Sequence, residues 1–321
     1  MKSLITITGD LGSGKSSCAQ EIAFHLGFQY MSTGAIQRRI ARNMGLTTLQ
    51  LNERSMTNRV VDDRIDTYLK ELGESAQDLV LDSRMSWYFV PNSLKVFMTV
   101  DPLVGAQRVL SASRADERHA DVMDAASNNL RRKALEYERF RNLYSVDCGN
   151  FSNYDVVVDT TCIVQEAVVD TMVATFDSYR VGKIYPRSLF CPKRLVPTQS
   201  ILSLSTSTTE TVFNSMTTAG YDLSKPIEVL RLQEHVFVVN GHKRLSCALR
   251  LGLNYVPCSF VDELRTPHPD PSALEAEINA TLRRPWIADW ESAHGFRFSS
   301  YPARQGGLPF SLDLPHCQAR S

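Results

Sequence analysis

The sequence lacks an excess of charge of either sign, because 35 Lys and Arg residues balance 35 Asp and Glu residues among 321. This balance does not indicate a protein that binds nucleic acid through a broad basic surface, and specific DNA binding is disfavoured. The sequence also lacks an apolar run of the ~18 residues that a membrane-spanning helix requires. Its first apolar stretch is short and runs into a glycine-rich turn, unlike a signal peptide. We therefore expect a cytoplasmic protein without a membrane segment.

Cysteine is sparse and follows no pattern. The seven cysteines are scattered along the chain, and no pair has the spacing of zinc ligands. Their odd number indicates reduced, mostly structural thiols. Hydrophobic residues are plentiful at 43%, which is enough for a packed core. The length predicts about two domains.

Residues 1–180 alternate strand-like and helix-like segments. Such alternation predicts an α/β domain with a parallel sheet and helices on both faces. The predicted strands are residues 4–8, 28–31, 79–82, 94–100 and 155–159. The predicted helices cover residues 15–26, 61–72, 120–144 and 162–178.

The pattern changes after residue 180. Residues 181–263 predict a smaller α+β domain with strands at 227–230 and 236–239, and with an edge strand at 256–261. Residues 264–321 form a Pro-rich extension. One helix is predicted there, near residues 271–283, followed by an irregular tail that contains Trp286 and Trp290.

The most specific motif is a phosphate-binding loop. Residues 9–16, Gly-Asp-Leu-Gly-Ser-Gly-Lys-Ser, fit the pattern GxxxxGK[ST] between a predicted strand and a predicted helix. Glycines let successive N–H groups turn towards phosphate oxygens, and the helix adds the positive end of its dipole. Lys15 is expected to reach the β- and γ-phosphates, and Ser16 is expected to hold Mg²⁺.

Asp82 and Arg84 follow the third predicted strand, at the edge where open α/β sheets bind ligands. Asp82 either orients the Mg²⁺ shell or caps the end of the strand. Further arginines crowd one region and could neutralise phosphate charge. Alternatively, they lie on a solvated helix face and form ordinary ion pairs with Glu136 and Glu138. These arginines are Arg108, Arg114, Arg118, Arg131, Arg132 and Arg139.

Residues 1–175 resemble the archaeal-type cytidylate kinases and, more distantly, other P-loop nucleoside monophosphate kinases. The resemblance rests on blocks that occur in family order: ITGDLGSGKSS, LGFQYMSTGAIQRRIA, VVDDRIDTYLKEL, LVLDSRMSWYFVPNSLKVFMTV, RRKALEYERFRNLYSVD and NYDVVVDTT. It implies the kinase fold, ATP and Mg²⁺ as cofactors, and in-line transfer of a phosphoryl group to a nucleoside monophosphate.

The motif and the resemblance together suggest a role for each candidate residue. Donor phosphates would contact Gly9, Gly12, Ser13, Gly14, Lys15, Ser16 and Ser17. The acceptor would contact Ser32, Gly34, Arg38, Arg84 and Arg139. Lys15, Arg84, Arg114 and Arg132 would be catalytic, and Ser16 and Asp82 would hold the metal. Arg108, Arg114 and Arg118 fall where the family has its lid.

A second motif runs through Gly241, His242, Lys243 and Arg244, between a predicted strand and a predicted helix. Three cations at a helix N-terminus oppose the dipole, which suggests a bound anion. Residues 183–263 resemble the ParB/sulfiredoxin superfamily, whose members carry a GxxR turn here. The resemblance implies a second nucleotide or phosphate site at these four residues. His242 would either act as an acid–base group or anchor a phosphate.

Three hypotheses remain open at this stage. The first is a nucleoside monophosphate kinase fused to a ParB-like nucleotide-binding domain. The second places the main chemistry in the ParB-like domain, as a nucleotide-dependent kinase of free serine or a hydrolase of CTP or ATP. The third is a nucleotide-sensing regulator without enzymatic activity that binds DNA or a protein.

Overall fold

The computed structural model describes residues 3–47, 50–51, 60–74, 78–112, 120–261 and 284–298. The chain divides into two compact units, Met1–Tyr185 and Pro186–Ser321. Residues 284–298 pack within the second unit rather than as a separate extension. The predicted helix near residues 271–283 lies outside the described residues.

The first unit contains a parallel sheet, as the sequence predicted. Its strands run β2-β3-β1-β4-β5, and every neighbouring pair is parallel. β1, β3, β4 and β5 are almost entirely buried, which explains their continuous apolar sequences. The strands are β1 Leu4–Gly9, β2 Gln29–Ser32, β3 Leu79–Asp82, β4 Leu94–Thr99 and β5 Val156–Asp159.

Helices connect these strands. The longest helix among the described residues, α6, is capped by Asp121, whose carboxylate accepts a hydrogen bond from the Asp124 N–H group. Asp101 likewise caps α5 by accepting from the N–H groups of Leu103 and Val104. The helices are α1 Lys15–Leu26, α2 Thr33–Asn43, α3 Val60–Glu74, α4 Ser86–Phe89, α5 Pro102–Ser111, α6 Val122–Tyr144 and α7 Gln165–Arg180.

The strand register brings the predicted site residues to one edge of the sheet. Ile7 of β1 pairs with Asp82 of β3, and Gly9 pairs with Met98 of β4. A side chain at Gly9 would place its Cβ 2.1 Å from the Met98 carbonyl oxygen. Only glycine therefore lets the chain turn away from the sheet here, directly above the end of β3.

The second unit has a mixed sheet in the order β6-β10-β8-β9-β7. β10 is an interior strand, antiparallel to β6 and parallel to β8; the predicted edge position was wrong because β6 was not recognised in the sequence. The strands are β6 Ser188–Phe190, β7 Leu195–Pro197, β8 Ile227–Leu232, β9 His235–Asn240 and β10 Val256–Phe260. The helices are α8 Thr206–Ala219, α9 His242–Arg250 and α10 Arg284–His294.

Helix α10 corrects the prediction of an irregular tail. Ile287 joins a buried apolar cluster with Phe237 of β9, and Trp290 is completely buried. The Trp290 indole N–H donates to the Gln199 carbonyl oxygen at 3.0 Å. The helix therefore completes the core of the second unit.

Two expectations concern the whole chain. Among the described residues, no helix combines the length and the apolarity needed to cross a membrane. None of the six described cysteines forms a disulfide, and five of them are buried, which agrees with mostly structural thiols.

Trp290→Ala should lower the free energy of unfolding of the second unit by about 3–5 kcal/mol, because it removes a fully buried ring and leaves a cavity. Chemical denaturation followed by circular dichroism measures this change. Trp286→Ala is the matched control, since Trp286 lies on the same helix and is only half-buried. Equal stability of the two variants would contradict the placement of α10 in the core.

Candidate active site

The loop between β1 and α1 forms a cradle at the helix N-terminus. Gly12 and Gly14 have φ angles of 78° and 77°, in the left-handed region that favours glycine. α1 begins without a side-chain cap and without an acidic residue in its first turn. A Cβ built on Gly14 would meet no atom within 4 Å. The first N–H groups of a helix have no partner within the helix, so this opening suits an anion.

Hydrogen bonds between uncharged groups hold the loop in place on the side away from the opening. Ser13 is buried, its hydroxyl donates to the Asp10 carbonyl oxygen at 2.8 Å, and its own carbonyl accepts from the Thr160 hydroxyl at 2.9 Å. The Ser13 hydroxyl is therefore used within the loop, and Ser13 can contact a ligand only through its backbone. Ser17, by contrast, is exposed on the first turn of α1.

Arg108 is not in a lid, contrary to the expectation from the resemblance. It lies in α5, and its Nη2 atom donates to the carbonyl oxygens of Thr160 at 2.7 Å and Thr161 at 3.1 Å. Its Nη1 atom lies 3.4 Å from the Gly12 carbonyl oxygen. Arg108 thus fastens the loop to the turn after β5. Arg114 and Arg118 lie outside the described residues.

Ser16 and Asp82 form the predicted pair of metal-binding candidates. The Ser16 hydroxyl donates to Asp82 Oδ2 at 2.5 Å. The same oxygen accepts from the hydroxyls of Ser32 at 3.2 Å and Tyr30 at 3.3 Å. Asp82 is buried, so this carboxylate gathers hydroxyls at the sheet edge instead of merely capping a strand.

Lys15 lies among the charged groups of the cradle. Burial and the neighbouring Arg84 lower the pKa of Lys15 to about 8, against the opposing effects of Asp82 and Glu136. A polyphosphate bound beside Lys15 would favour its charged form and raise this pKa. A lysine that is costly to keep charged in the ligand-free protein is suited to an anionic ligand.

Arg84 and helix α6 supply the remaining charge. Arg84 donates through Nη1 to the Gly9 carbonyl oxygen, and its Nε atom lies 2.9 Å from Glu136 Oε2. Arg132 Nε donates to Glu136 Oε1 at 3.1 Å. Arg139 is buried, and its guanidinium lies over the Phe140 ring. The structure therefore brings Arg84 and Arg132 together, with Arg139 one helical turn beyond Glu136.

Glu136 is a site residue, although the sequence pattern indicated for it only an ordinary ion pair on a solvated face. The structure buries it, leaving 2% of its surface exposed. The i,i+4 spacing from Arg132 was the available signal. Tyr30 was missed as well, since nothing in a short strand marks which hydroxyl will reach a carboxylate from the next strand.

Three of the five predicted acceptor residues, Ser32, Gly34 and Arg38, lie together at the start of α2. A Cβ on Gly34 would be 3.4 Å from Arg38 Nη1 and 3.8 Å from the Ser32 hydroxyl. Ser32 also contacts Asp82. These residues therefore adjoin the Ser16–Asp82 pair.

The residues present fit a polyphosphate with Mg²⁺. An uncapped helix N-terminus and several partly buried cations match a multiply charged anion. A hydroxyl and a carboxylate match the oxygen ligands of Mg²⁺, which takes its other ligands from water and phosphate. The described residues contain no group of three or more His, Cys, Asp or Glu side chains that could hold a metal unaided.

The second motif forms a separate cavity in the second unit. Gly241 has a φ angle of 106° and begins α9 without a side-chain cap. The cavity beside it has a volume of about 810 Å³. It is lined by both polar and apolar residues, among them Asp222, Glu228, Asn240, Lys243 and Arg244.

The cations of this motif contact neutral oxygens. Arg244 Nη1 donates to the carbonyl oxygens of Lys225 and Pro226, and Lys243 Nζ donates to the Thr208 hydroxyl at 2.5 Å. The Arg244 guanidinium lies over Gly241, where a Cβ would be 3.1 Å from Nη2. None of these three contacts is made to a carboxylate.

His242 does not have the environment of an acid–base group. It is buried, and its Nε2 atom accepts a hydrogen bond from the Thr198 N–H group at 3.2 Å. Burial lowers the pKa of His242 to about 4, so the ring is neutral at physiological pH. Of the three cations predicted at this helix N-terminus, only Lys243 and Arg244 are charged.

Known proteins resemble parts of the chain. The model of the cytidylate kinase-like family matches residues 4–162. A cytidylate kinase from Halorubrum lacusprofundi is 33% identical over 177 residues, which are 55% of this chain and 90% of that protein. An S-adenosylmethionine-dependent nucleotide dehydratase from Lacinutrix mariniflava is 31% identical over 186 residues, which are 57% of this chain and 38% of that protein.

A solved structure of sulfiredoxin from Arabidopsis thaliana is also similar. It aligns with 28% of this chain and 93% of its own, at 15% identity and a TM-score of 0.22.

The affinity for MgATP should be nearly constant below about pH 8 and should fall by up to ~10-fold per pH unit above it. Binding favours protonated Lys15, so above this pKa the complex must take up a proton. Isothermal titration calorimetry from about pH 7 to about pH 9.5 measures the profile. Lys15→Met should bind more weakly with a flat profile. A flat profile in the wild-type protein would contradict the position assigned to Lys15.

Proposed function

The chain belongs to the cytidylate kinase-like family, and from this premise we propose that it transfers the γ-phosphoryl group of ATP to a nucleoside monophosphate. As a P-loop phosphotransferase it uses ATP with Mg²⁺. The observation that carries the proposal is the convergence of Lys15, Arg84 and Arg132 beside the Ser16–Asp82 pair. Cytidine and deoxycytidine monophosphate are the first candidate acceptors, since the family and the Halorubrum relative carry that name.

The protein contributes positioning and charge. The N–H groups of the loop between Gly9 and Ser16 hold the donor phosphates, with Lys15 at the outer phosphate. Arg84 and Arg132 neutralise the charge shared between donor and acceptor. Ser32, Gly34 and Arg38 adjoin the acceptor phosphate.

The proposed metal site lies at the same edge of the sheet. Ser16 and Asp82 hold Mg²⁺, directly or through its water shell. When bound, Mg²⁺ supplies positive charge to the phosphate oxygens. The buried position of Asp82 fixes the carboxylate on this side of the loop.

A second proposal concerns the second unit, where we infer a nucleotide or phosphate site at Gly241, His242, Lys243 and Arg244. The support is the uncapped start of α9 beside a large cavity, with two cations paired to neutral oxygens. His242 contributes through its hydrogen bond with Thr198 rather than by proton transfer. In this arrangement the second unit binds a ligand, and the first unit carries out phosphoryl transfer.

The acceptor is found by screening nucleoside monophosphates, deoxynucleoside monophosphates and free serine with MgATP while measuring ADP formation. We expect ADP to form only with an acceptor, most rapidly with CMP or dCMP. Lys15→Met should reduce turnover by about 10²–10³-fold, since it removes a cation beside the transferred group. The proposal fails if no nucleoside monophosphate stimulates ADP formation by the folded wild-type protein.

The variant Arg244→Ala distinguishes the role of the second unit from that of the first. It should leave acceptor-dependent turnover within about threefold of the wild type and weaken nucleotide binding to the second unit by about 10–100-fold. Calorimetry with ATP and CTP on the Lys15→Met background, in which binding to the first unit is weakened, measures the change at the second site. Arg250→Ala is the matched control, because Arg250 lies on the same helix in an exposed ion pair with Glu210. Loss of turnover in Arg244→Ala but not in Lys15→Met would instead place the main chemistry in the second unit.

A further inference from the structure

Glu136 lies inside the cluster of arginines rather than on the outside of α6. It follows Arg132 by one helical turn and is almost completely buried. Its two carboxylate oxygens contact different arginines. Oε2 lies 2.9 Å from Arg84 Nε, and Oε1 accepts from Arg132 Nε at 3.1 Å. One carboxylate thus bridges an arginine from the turn after β3 and an arginine from α6.

The charge balance around Glu136 explains why a carboxylate is buried here. Burial alone would oppose ionisation, but Arg84, Arg132 and Arg139 outweigh it and hold the pKa of Glu136 at about 2. The residue is therefore ionised at physiological pH. Without Glu136, the positive charges of Arg84 and Arg132 would lie close together with no carboxylate between them, and they would repel each other.

The contacts of Glu136 extend to the phosphate loop. Arg84 also donates to the Gly9 carbonyl oxygen at the end of β1. The next residue after Arg132, Lys133, forms a second link through Nζ, which lies 3.0 Å from Asp10 Oδ1. Asp10 Oδ2 in turn accepts from the Thr99 hydroxyl at 2.8 Å. Helix α6 is therefore joined to the loop directly by the Lys133–Asp10 ion pair and indirectly through Arg84.

We propose that Glu136 is a positioning residue for phosphoryl transfer, which holds Arg84 and Arg132 side by side at the spacing that the reacting phosphates require. It acts through the arginines and does not contact the substrate, because a carboxylate repels phosphate oxygens and both of its oxygens already contact cations. The proposal rests on the proposed phosphoryl transfer. Substitution of Glu136 should therefore lower kcat more than it weakens the binding of ATP.

Glu136→Gln keeps the shape of the side chain and removes its charge. We expect kcat with the best acceptor to fall by about 10²-fold, since small displacements of charge-bearing groups are costly. The KM for ATP should stay within about threefold. Glu136→Asp should recover part of the lost kcat, because the shorter carboxylate can still contact one arginine. Glu138→Gln is the matched control, an exposed glutamate on the same helix.

A second readout distinguishes positioning from mere stability and needs no acceptor. Calorimetry should give Glu136→Gln an MgATP affinity within about threefold of the wild type, because the residues of the phosphate loop are unchanged. Unchanged kcat in a folded Glu136→Gln protein would overturn the proposal. Equal losses of kcat in Glu136→Gln and Glu136→Asp would overturn it as well, and so would a loss of MgATP affinity as large as the loss of kcat. If the wild-type protein phosphorylates no acceptor, the proposed function fails, whereas the MgATP affinity of the variants still tests whether Glu136 is needed for donor binding.

Discussion

The structure of the first unit depends on concentrating positive charge at one edge of a parallel sheet. Lys15, Arg84 and Arg132 meet where β1 and β3 end, and burial makes the charge of Lys15 costly, as its lowered pKa shows. The fold tolerates this cost through two buried carboxylates, Asp82 and Glu136. A multiply charged phosphate ligand relieves the remaining repulsion.

The two carboxylates have different surroundings and therefore different consequences. Asp82 accepts from hydroxyl groups, so it lies in a set of oxygen ligands that suits a hard cation. Glu136 contacts guanidinium groups, so it orders cations. Together they divide the edge of the sheet into a side formed by Ser16 and its neighbours, where we propose the metal, and an arginine side formed by α6.

The sequence predicted the elements whose signals are local. Four of the five strands of the first unit are largely apolar runs, and the phosphate loop combines fixed residue types at fixed spacing, so these predictions agree with the structure. Predictions that needed tertiary contacts were less successful. Arg108 fastens the loop to the turn after β5, β10 is an interior strand, and α10 is buried through Trp290. Each depends on a partner distant in sequence, which neither periodicity nor composition reveals.

Phosphoryl transfer at this site requires that the backbone from Gly9 to Ser16 enclose a triphosphate with Lys15 at its outer end. A crystal structure of the protein with Mg²⁺ and a non-hydrolysable ATP analogue would show this arrangement. We expect the β- and γ-phosphates against the N–H groups at the start of α1, Lys15 Nζ in contact with them, and the metal beside Ser16 and Asp82. A triphosphate bound elsewhere, or Lys15 turned away from the bound phosphates, would contradict this arrangement.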